Sequence, residues 1–403
     1  MTKFSLKKLG PGLLFAGAAI GVSHLVQSTR AGADFGLGLL WALLLINAIK
    51  YPFFEFGPRY ATATGQSIIH GYKKQGKWVL VIYFLLTLAT MFTIQTAVTI
   101  VAASIASSLF DLTTNTVTWS IIITGLCFIL LLIGKYRALD KVMKVIIISL
   151  AISTILAVIL AIPKSEVLSL QQIIPSNAGS IAFLIAFMGW MPAPLDISIW
   201  HSVWTVEKNK TTTITQKQSK FDFNLGYITT IILGIGFLSL GALVMFNSGE
   251  SFASGGSQFA SQLIGMYTEN LGENTKIIIG LAAFTTMLST TITTLDGSPR
   301  VMHKSSQLLT GKKYKHGYLF WLIVLMIGTI GILLFFISEM GMLVKIATIL
   351  SFLTAPFYAI FNYRAIFSKD IPKEAQPSQF MRYYSVMSII LLIGFSVWYL
   401  TTL

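Results

Sequence analysis

His24 and Asp196 are the ionisable side chains at two points where apolar stretches of the chain are interrupted, Gly21-Val22-Ser23-His24 and Met191-Pro192-Ala193-Pro194-Leu195-Asp196. A neutral imidazole and a carboxylate can ligate a divalent cation, or can hold a polar organic solute by hydrogen bonds. An ionisable group inside hydrocarbon is costly to bury, so it points to function first. The alternative is a structural histidine–carboxylate contact that ties the two interruptions together. Ser23 and Gln27, one turn apart, add hydrogen-bonding groups suited to a hydrated path, or equally to helix–helix bonding. Met191 could ligate a soft metal, although a methionine between Trp190 and Trp200 is ordinarily packing. Pro192 and Pro194 each lack an N–H and so free carbonyls that could face a cation. The candidate substrate set is therefore Gly21, Ser23, His24, Gln27, Met191, Ala193 and Asp196, with His24, Asp196 and Met191 as its metal-binding members.

These interruptions carry meaning because of where they fall. The chain has 403 residues, of which 54% are hydrophobic and 11% charged, against about 25% charged in soluble domains. Apolar runs near 10–29, 36–57, 79–108, 117–134, 143–162, 180–204, 224–247, 276–296, 318–338, 341–363 and 382–402 are each long enough to cross a bilayer core of about 30 Å. Interrupted backbone at that depth survives only when it is buried in protein or lines a cavity. Paired interruptions in corresponding helices of two halves mark a transporter's binding site. The first run is too long for a cleavable signal and continues into Ser28-Thr29-Arg30, so it is expected to persist in the mature protein.

Charge sets the orientation. Lys3, Lys7 and Lys8, then Arg59, Lys73, Lys74 and Lys77, then Lys135, Arg137, Lys141 and Lys144, then Lys208, Lys210, Lys217 and Lys220 fall on one side, followed by Arg300, Lys304, Lys312, Lys313 and Lys315 and by Arg364, Lys369, Lys373 and Arg382. The opposite loops, with Asp34, Asp111, Glu166, Glu250, Glu269, Glu273 and Glu339 among their charges, are neutral or acidic. By the positive-inside rule the N-terminus is cytoplasmic and, after eleven crossings, the C-terminus external; a bacterial inner membrane is expected. The net charge of +14 thus reflects topology, not a nucleic-acid surface. Cys127, the single cysteine, allows neither an intrachain disulfide nor a cysteine-rich metal site. No metalloprotease, nucleophile-elbow or phosphate-loop motif suggests an enzyme, and no cofactor is expected.

The two interrupted spans are the first and sixth. This predicts an all-α membrane protein in which 1–165 and 175–365 form inverted repeats of five spans and 380–403 an appended eleventh helix. The basic connector 205–223 joins the halves. The stretch 248–275 reads as an external loop with a short amphipathic helix, a lid or a plain connector. Lys50 and Glu55 in the second span, with Asp296 and Lys345 near other span ends, suit either gate ion pairs or structural pairing and snorkelling. Arg30 is expected to snorkel or to pair with Asp34.

Gly10-Pro11-Gly12, the interruption at 21–24, Ala31-Gly32-Ala33, Leu40-Trp41, Gly134-Lys135-Tyr136-Arg137, His201-Ser202 and Ser289-Thr290-Thr291-Ile292-Thr293 have the spacing of the Nramp divalent-metal transporters. The resemblance spans most of the chain. It implies the LeuT-type fold, broken first and sixth helices, alternating access, and a divalent metal cargo. It is weakest at the family's chemistry. Gly21 and His24 stand where an Asp-Pro-Gly-Asn motif supplies its metal-binding aspartate and asparagine. Met191-Pro192 aligns with the family's Met-Pro only through a short gap, with His201 matched to its second histidine. Thr93 and Thr96, flanking Gln95, stand near its proton-moving acids. Expected functions are an Nramp-like secondary transporter of a divalent cation with altered ligand and coupling positions, a transporter of a polar organic solute on the same scaffold, or a non-transporting sensor. The expected partners are a small ion or solute and the lipid bilayer, with no nucleic acid; protein partners are not legible.

Overall fold

Each predicted span coincides with a helix or a broken helix pair in the computed structural model, which describes residues 10–401 except 111, 134–135, 165–168, 247–252, 254–255, 274–275 and 336–338. In chain order the helices are α1 (Pro11–Ala19), α2 (Ser23–Phe35), α3 (Leu40–Thr64), α4 (Ile68–Gln75), α5 (Lys77–Phe110), α6 (Thr116–Ile133), α7 (Tyr136–Ala161), α8 (Ala178–Trp190), α9 (Ile197–Asn209), α10 (Gln216–Val244), α11 (Gly256–Leu271), α12 (Lys276–Thr310), α13 (Gly317–Phe335), α14 (Met340–Ile366) and α15 (Gln379–Leu400). Lys3, Lys7, Lys8 and the Gly134-Lys135 pair lie outside the described residues.

Among the described residues, seven helices are long and apolar enough to cross a bilayer, and α1 with α2 makes an eighth as one span bent by 45°. The outward sides of α6, α7, α13 and α15 carry Ile129, Ile133, Ile152, Ile327 and Ile390 exposed. In water such an apolar surface would aggregate, whereas lipid requires it. The chain is an integral membrane protein. Inside the bundle, serine and threonine hydroxyls return to the carbonyl one turn back, as Thr124 does to Ser120 at 2.7 Å and Thr348 to Val344 at 2.7 Å, which removes them from the list of unsatisfied donors.

The buried apolar side chains form two clusters. One surrounds α3, α8, α9, α14 and α15; the other lies around α5, α6, α12 and α13. Leu14 and Phe15 of α1 belong to the first and Ile20, Val22 and Leu25 around the bend to the second, so the broken first span runs along their seam. Small residues set the crossings there. A Cβ on Gly32 would stand 2.0 Å from the Leu238 carbonyl oxygen and one on Gly241 2.1 Å from that of Thr29, so α2 and α10 touch backbone to backbone. Likewise a Cβ on Gly57 would meet the Ser198 carbonyl at 2.1 Å, which holds α3 against α9. The N-terminus of α1 is closed by the Asp222 carboxylate of α10, which accepts from Gly12 N at 2.7 Å and Gly10 N at 3.2 Å; a carboxylate at exposed helix amides is favourable.

Candidate substrate site at the two helix breaks

The first break leaves the carbonyls at the end of α1 without helical partners, and α12 supplies one. Thr290 Oγ1 lies 3.3 Å from Gly17 O, 3.2 Å from Ile20 O and 3.2 Å from its own Thr286 O. Gly21 is where that contact is made: a Cβ there would lie 2.6 Å from Thr290 Oγ1. Beyond it, His24 is fully buried, with Nδ1 2.7 Å from Ser23 Oγ and Nε2 2.9 Å from Thr230 O on α10. Ser23 Oγ also lies 2.7 Å from Ala19 O and 3.3 Å from Pro192 O, and through the latter it bridges the two breaks. Both ring nitrogens of His24 are therefore engaged by the protein.

The second break separates α8 from α9. Trp190, the last residue of α8, donates Nε1–H to Ser351 Oγ at 2.7 Å, which fixes the end of that half-helix against α14. The Met191 sulfur points toward α10, 3.3 Å from where a Cβ on Gly234 would stand. Asp196 is 3% exposed, and its Oδ1 has no hydrogen-bond partner among the described residues. Lys50 comes from α3. Its Nζ lies 2.8 Å from Met188 O, 2.7 Å from Gly189 O, 3.1 Å from Met191 O and 3.1 Å from Ala193 O. It is 0% exposed.

Of the alternatives open for Lys50 and Glu55, gate ion pair or structural pairing and snorkelling, the structure shows no ion pair between the two among the described residues. Glu55 instead holds Arg59, one turn on, at 2.6 Å, because five residues along a helix put two side chains on different faces whereas four put them together. Asp296 likewise holds Arg300 at 2.6 Å and accepts from Tyr318 at 2.8 Å. Sequence reasoning did not count Lys50 among the site residues. Toward the cytoplasmic end of the expected span 36–57 a lysine could snorkel, and only the observed helix, Leu40–Thr64, puts it near the middle.

The remaining named positions are spread around this centre. Thr93 and Thr96 turn their hydroxyls back onto Thr90 O at 2.9 Å and Phe92 O at 2.7 Å. Gln95 joins α5 to α12: its Nε2 donates to Thr291 O at 3.3 Å and its Oε1 accepts from Thr294 at 2.7 Å. His201 stacks on Phe15 with ring centres 5.7 Å apart, and its Nδ1 has no partner among the described residues. Between the breaks, bordered by Ser23, Trp190, Pro194, Trp200 and Thr290, there is room for about 10 Å³, roughly one water. A separate cavity of about 640 Å³ lies between α2, α8 and α14, lined by Gln27, Arg30, Phe183, Glu339 and Lys345 among others. Gln27 Oε1 and Arg30 Nε lack partners among the described residues, and the Arg30 guanidinium sits 6.0 Å over the Phe183 ring while also feeling Asp34. No three His, Cys, Asp or Glu side chains are gathered in a metal-holding group among the described residues.

Comparison with known proteins places this geometry. The model of the Nramp family, natural resistance-associated macrophage protein-like, matches residues 12–402. The uncharacterized protein PM0681 of Pasteurella multocida (strain Pm70) is 37% identical over 361 residues, 88% of this chain and 83% of that protein. Among solved structures, a mutant of the Eremococcus coleocola manganese transporter superposes with a TM-score of 0.75 at 14% identity, covering 96% of this chain and 84% of that one. MhsT in complex with L-phenylalanine gives 0.64 at 14% identity, covering 96% and 98%. Mhp1, a nucleobase-cation-symport-1 family transporter with bromovinylhydantoin bound, gives 0.60 at 15%, covering 98% and 93%. The shared architecture is the LeuT-type fold.

Proposed function

The chain belongs to the Nramp family, and on that premise we propose that it is a secondary transporter that moves a small polar cargo between the breaks of α1–α2 and α8–α9 by alternating access. The observation that carries this reading is the pair of interrupted helices meeting at Ser23 and Pro192, where freed carbonyls and buried polar side chains collect in the middle of the bundle. Interrupted half-helices of this kind present their ends to cargo and coupling ions. Under this reading 1–165 and 175–365 are inverted repeats, and the cavity beside Gln27 is the external vestibule of an inner-membrane protein.

Family membership supports a divalent metal cation as cargo. Asp196, with an unpartnered carboxyl oxygen, is then the anionic ligand, His24 and Met191 are the adjoining donors, and Gly21, where the family has an aspartate, contributes no side chain. In calorimetry with purified protein, Mn²⁺ should bind more tightly than Mg²⁺, Asp196→Ala should abolish the heat, and His24→Ala should weaken it. Tight Mn²⁺ binding that survives both substitutions would place the site elsewhere.

A second reading, a small organic solute bearing a carboxylate or similar polar group, is favoured by a specific observation. The buried Lys50 ammonium stands at the break, and Arg30 and Lys345 line the vestibule. At a given distance a fixed cation repels a dication twice as strongly as it attracts a singly charged anion. Thr93 and Thr96, whose hydroxyls cannot carry a proton at neutral pH, support a cycle without proton movement through that helix. Uptake into liposomes of labelled amino and keto acids beside ⁵⁴Mn²⁺, with a pH dye inside, separates the readings: Mn²⁺ uptake supports the first, and solute uptake with no Mn²⁺ heat at millimolar concentration supports the second.

A further inference from the structure

We infer that the carbonyls at the end of α8 and in the break after it form a cation seat that Lys50 fills from within the chain, and that removing this amine converts the seat into a binding site for a small monovalent cation. The inference concerns these backbone carbonyls and holds for either cargo.

A half-helix ends in carbonyls carrying partial negative charge, and in transporters built from broken helices such ends coordinate Na⁺ or H⁺. Here Met188 and Gly189 at the end of α8, together with Met191 and Ala193 in the break, aim four oxygens at one point, 2.7–3.1 Å from Nζ. An ammonium has three N–H groups, so four oxygens exceed what it can satisfy by directed bonds. Converging oxygens around a central charge are the arrangement of a spherical-ion site. The radius is larger than the 2.3–2.6 Å typical of Ca²⁺–oxygen contacts, which points to a monovalent ion of K⁺ or NH₄⁺ size once the amine is gone. Asp196, at the same break, is buried with its Oδ1 unpartnered among the described residues, so removing the lysine leaves an acidic side chain and four carbonyls shielded from water.

The geometry is built by the fold. Gly57 holds α3 and α9 in backbone contact, and Lys50, seven residues earlier, lies about 10.5 Å up the helix axis, where its stem reaches the break. The tethered Lys50 amine already occupies this position, so the wild-type protein has no need of Na⁺ or K⁺ there.

The test is thermal unfolding of the purified full-length protein in detergent, followed by tryptophan fluorescence at constant ionic strength in NaCl, KCl, NH₄Cl or N-methyl-D-glucamine chloride. Wild type should unfold at the same temperature in all four. Lys50→Ala should unfold earlier in N-methyl-D-glucamine and recover by several degrees, saturably, as one of the small cations replaces it. Lys50→Met, which restores the stem without the charge, should remain below wild type in N-methyl-D-glucamine. Insensitivity of Lys50→Ala to the cation would overturn the inference, as would full stability of Lys50→Met without small cations, a cation dependence already present in wild type, or failure to recover both variants in any of the salts. None of these readouts involves cargo, so the transport reading and the cation seat fail separately.

Discussion

At the scale of single residues, function in this bundle is distributed by what each side chain can reach. Gly21 stands at the first break because Thr290 needs the space: its hydroxyl reaches the Gly17 and Ile20 carbonyls only if no Cβ intervenes. Gly21→Ala should therefore cost ~1–3 kcal/mol through overpacking and slow transport. Thr290→Ala removes both atoms that a Cβ would meet within 3 Å, so the double variant should be less destabilised than the sum of the single ones, a coupling that a double-mutant cycle of unfolding temperatures measures. Strict additivity would mean that the two residues do not share the break. His24 shows the same logic from the other side. Its type and depth mark it as important, but the ring is held between Ser23 and Thr230, and a metal would have to displace one of those contacts.

At the scale of helices, the spans follow from local chemistry and the crossings from small residues. α8 begins at Asn177, whose Oδ1 accepts from Ser180 N at 2.8 Å, and α10 at a capping box of Thr215 and Gln218; both are legible as start signals. The contact between α2 and α10 rests on Gly32 and Gly241, where a Cβ would strike a carbonyl oxygen that cannot rotate away. Gly241→Ala should lower the unfolding temperature and the yield of folded protein, whereas Gly331→Ala on α13, with nothing within 4 Å of the new methyl, should be neutral or slightly stabilising, since alanine costs less chain entropy in a helix than glycine. Equal effects at the two positions would refute the close-approach account. Gln95 is a further cross-helix tie: the amide beside the altered coupling positions bonds α5 to α12 through Thr291 and Thr294.

At the scale of the whole molecule, the basic loops set the expected orientation. In a Cys127→Ala background, cysteines at 74 and 313 should react with a membrane-impermeant thiol reagent only after the membrane is opened, and a cysteine at 257 should react in intact cells. External reaction at 74 would invert the protein and turn the vestibule beside Gln27 to the cytoplasm. Helices at the eleven expected positions, the two breaks, the charge asymmetry and the family resemblance were all legible in the sequence, because in hydrocarbon each helix must satisfy its own backbone bonds and a failure to do so shows as proline, glycine and polar residues inside an apolar run. Lys50 was not legible as a member of the site. Nor was the engagement of His24 by Thr230, the turn of Met191 toward Gly234, or the closure of the space between the breaks to about 10 Å³. Each depends on which helices cross and at what register, and that is set by glycines meeting carbonyls across hundreds of residues of chain, a relation that no local pattern of residues encodes.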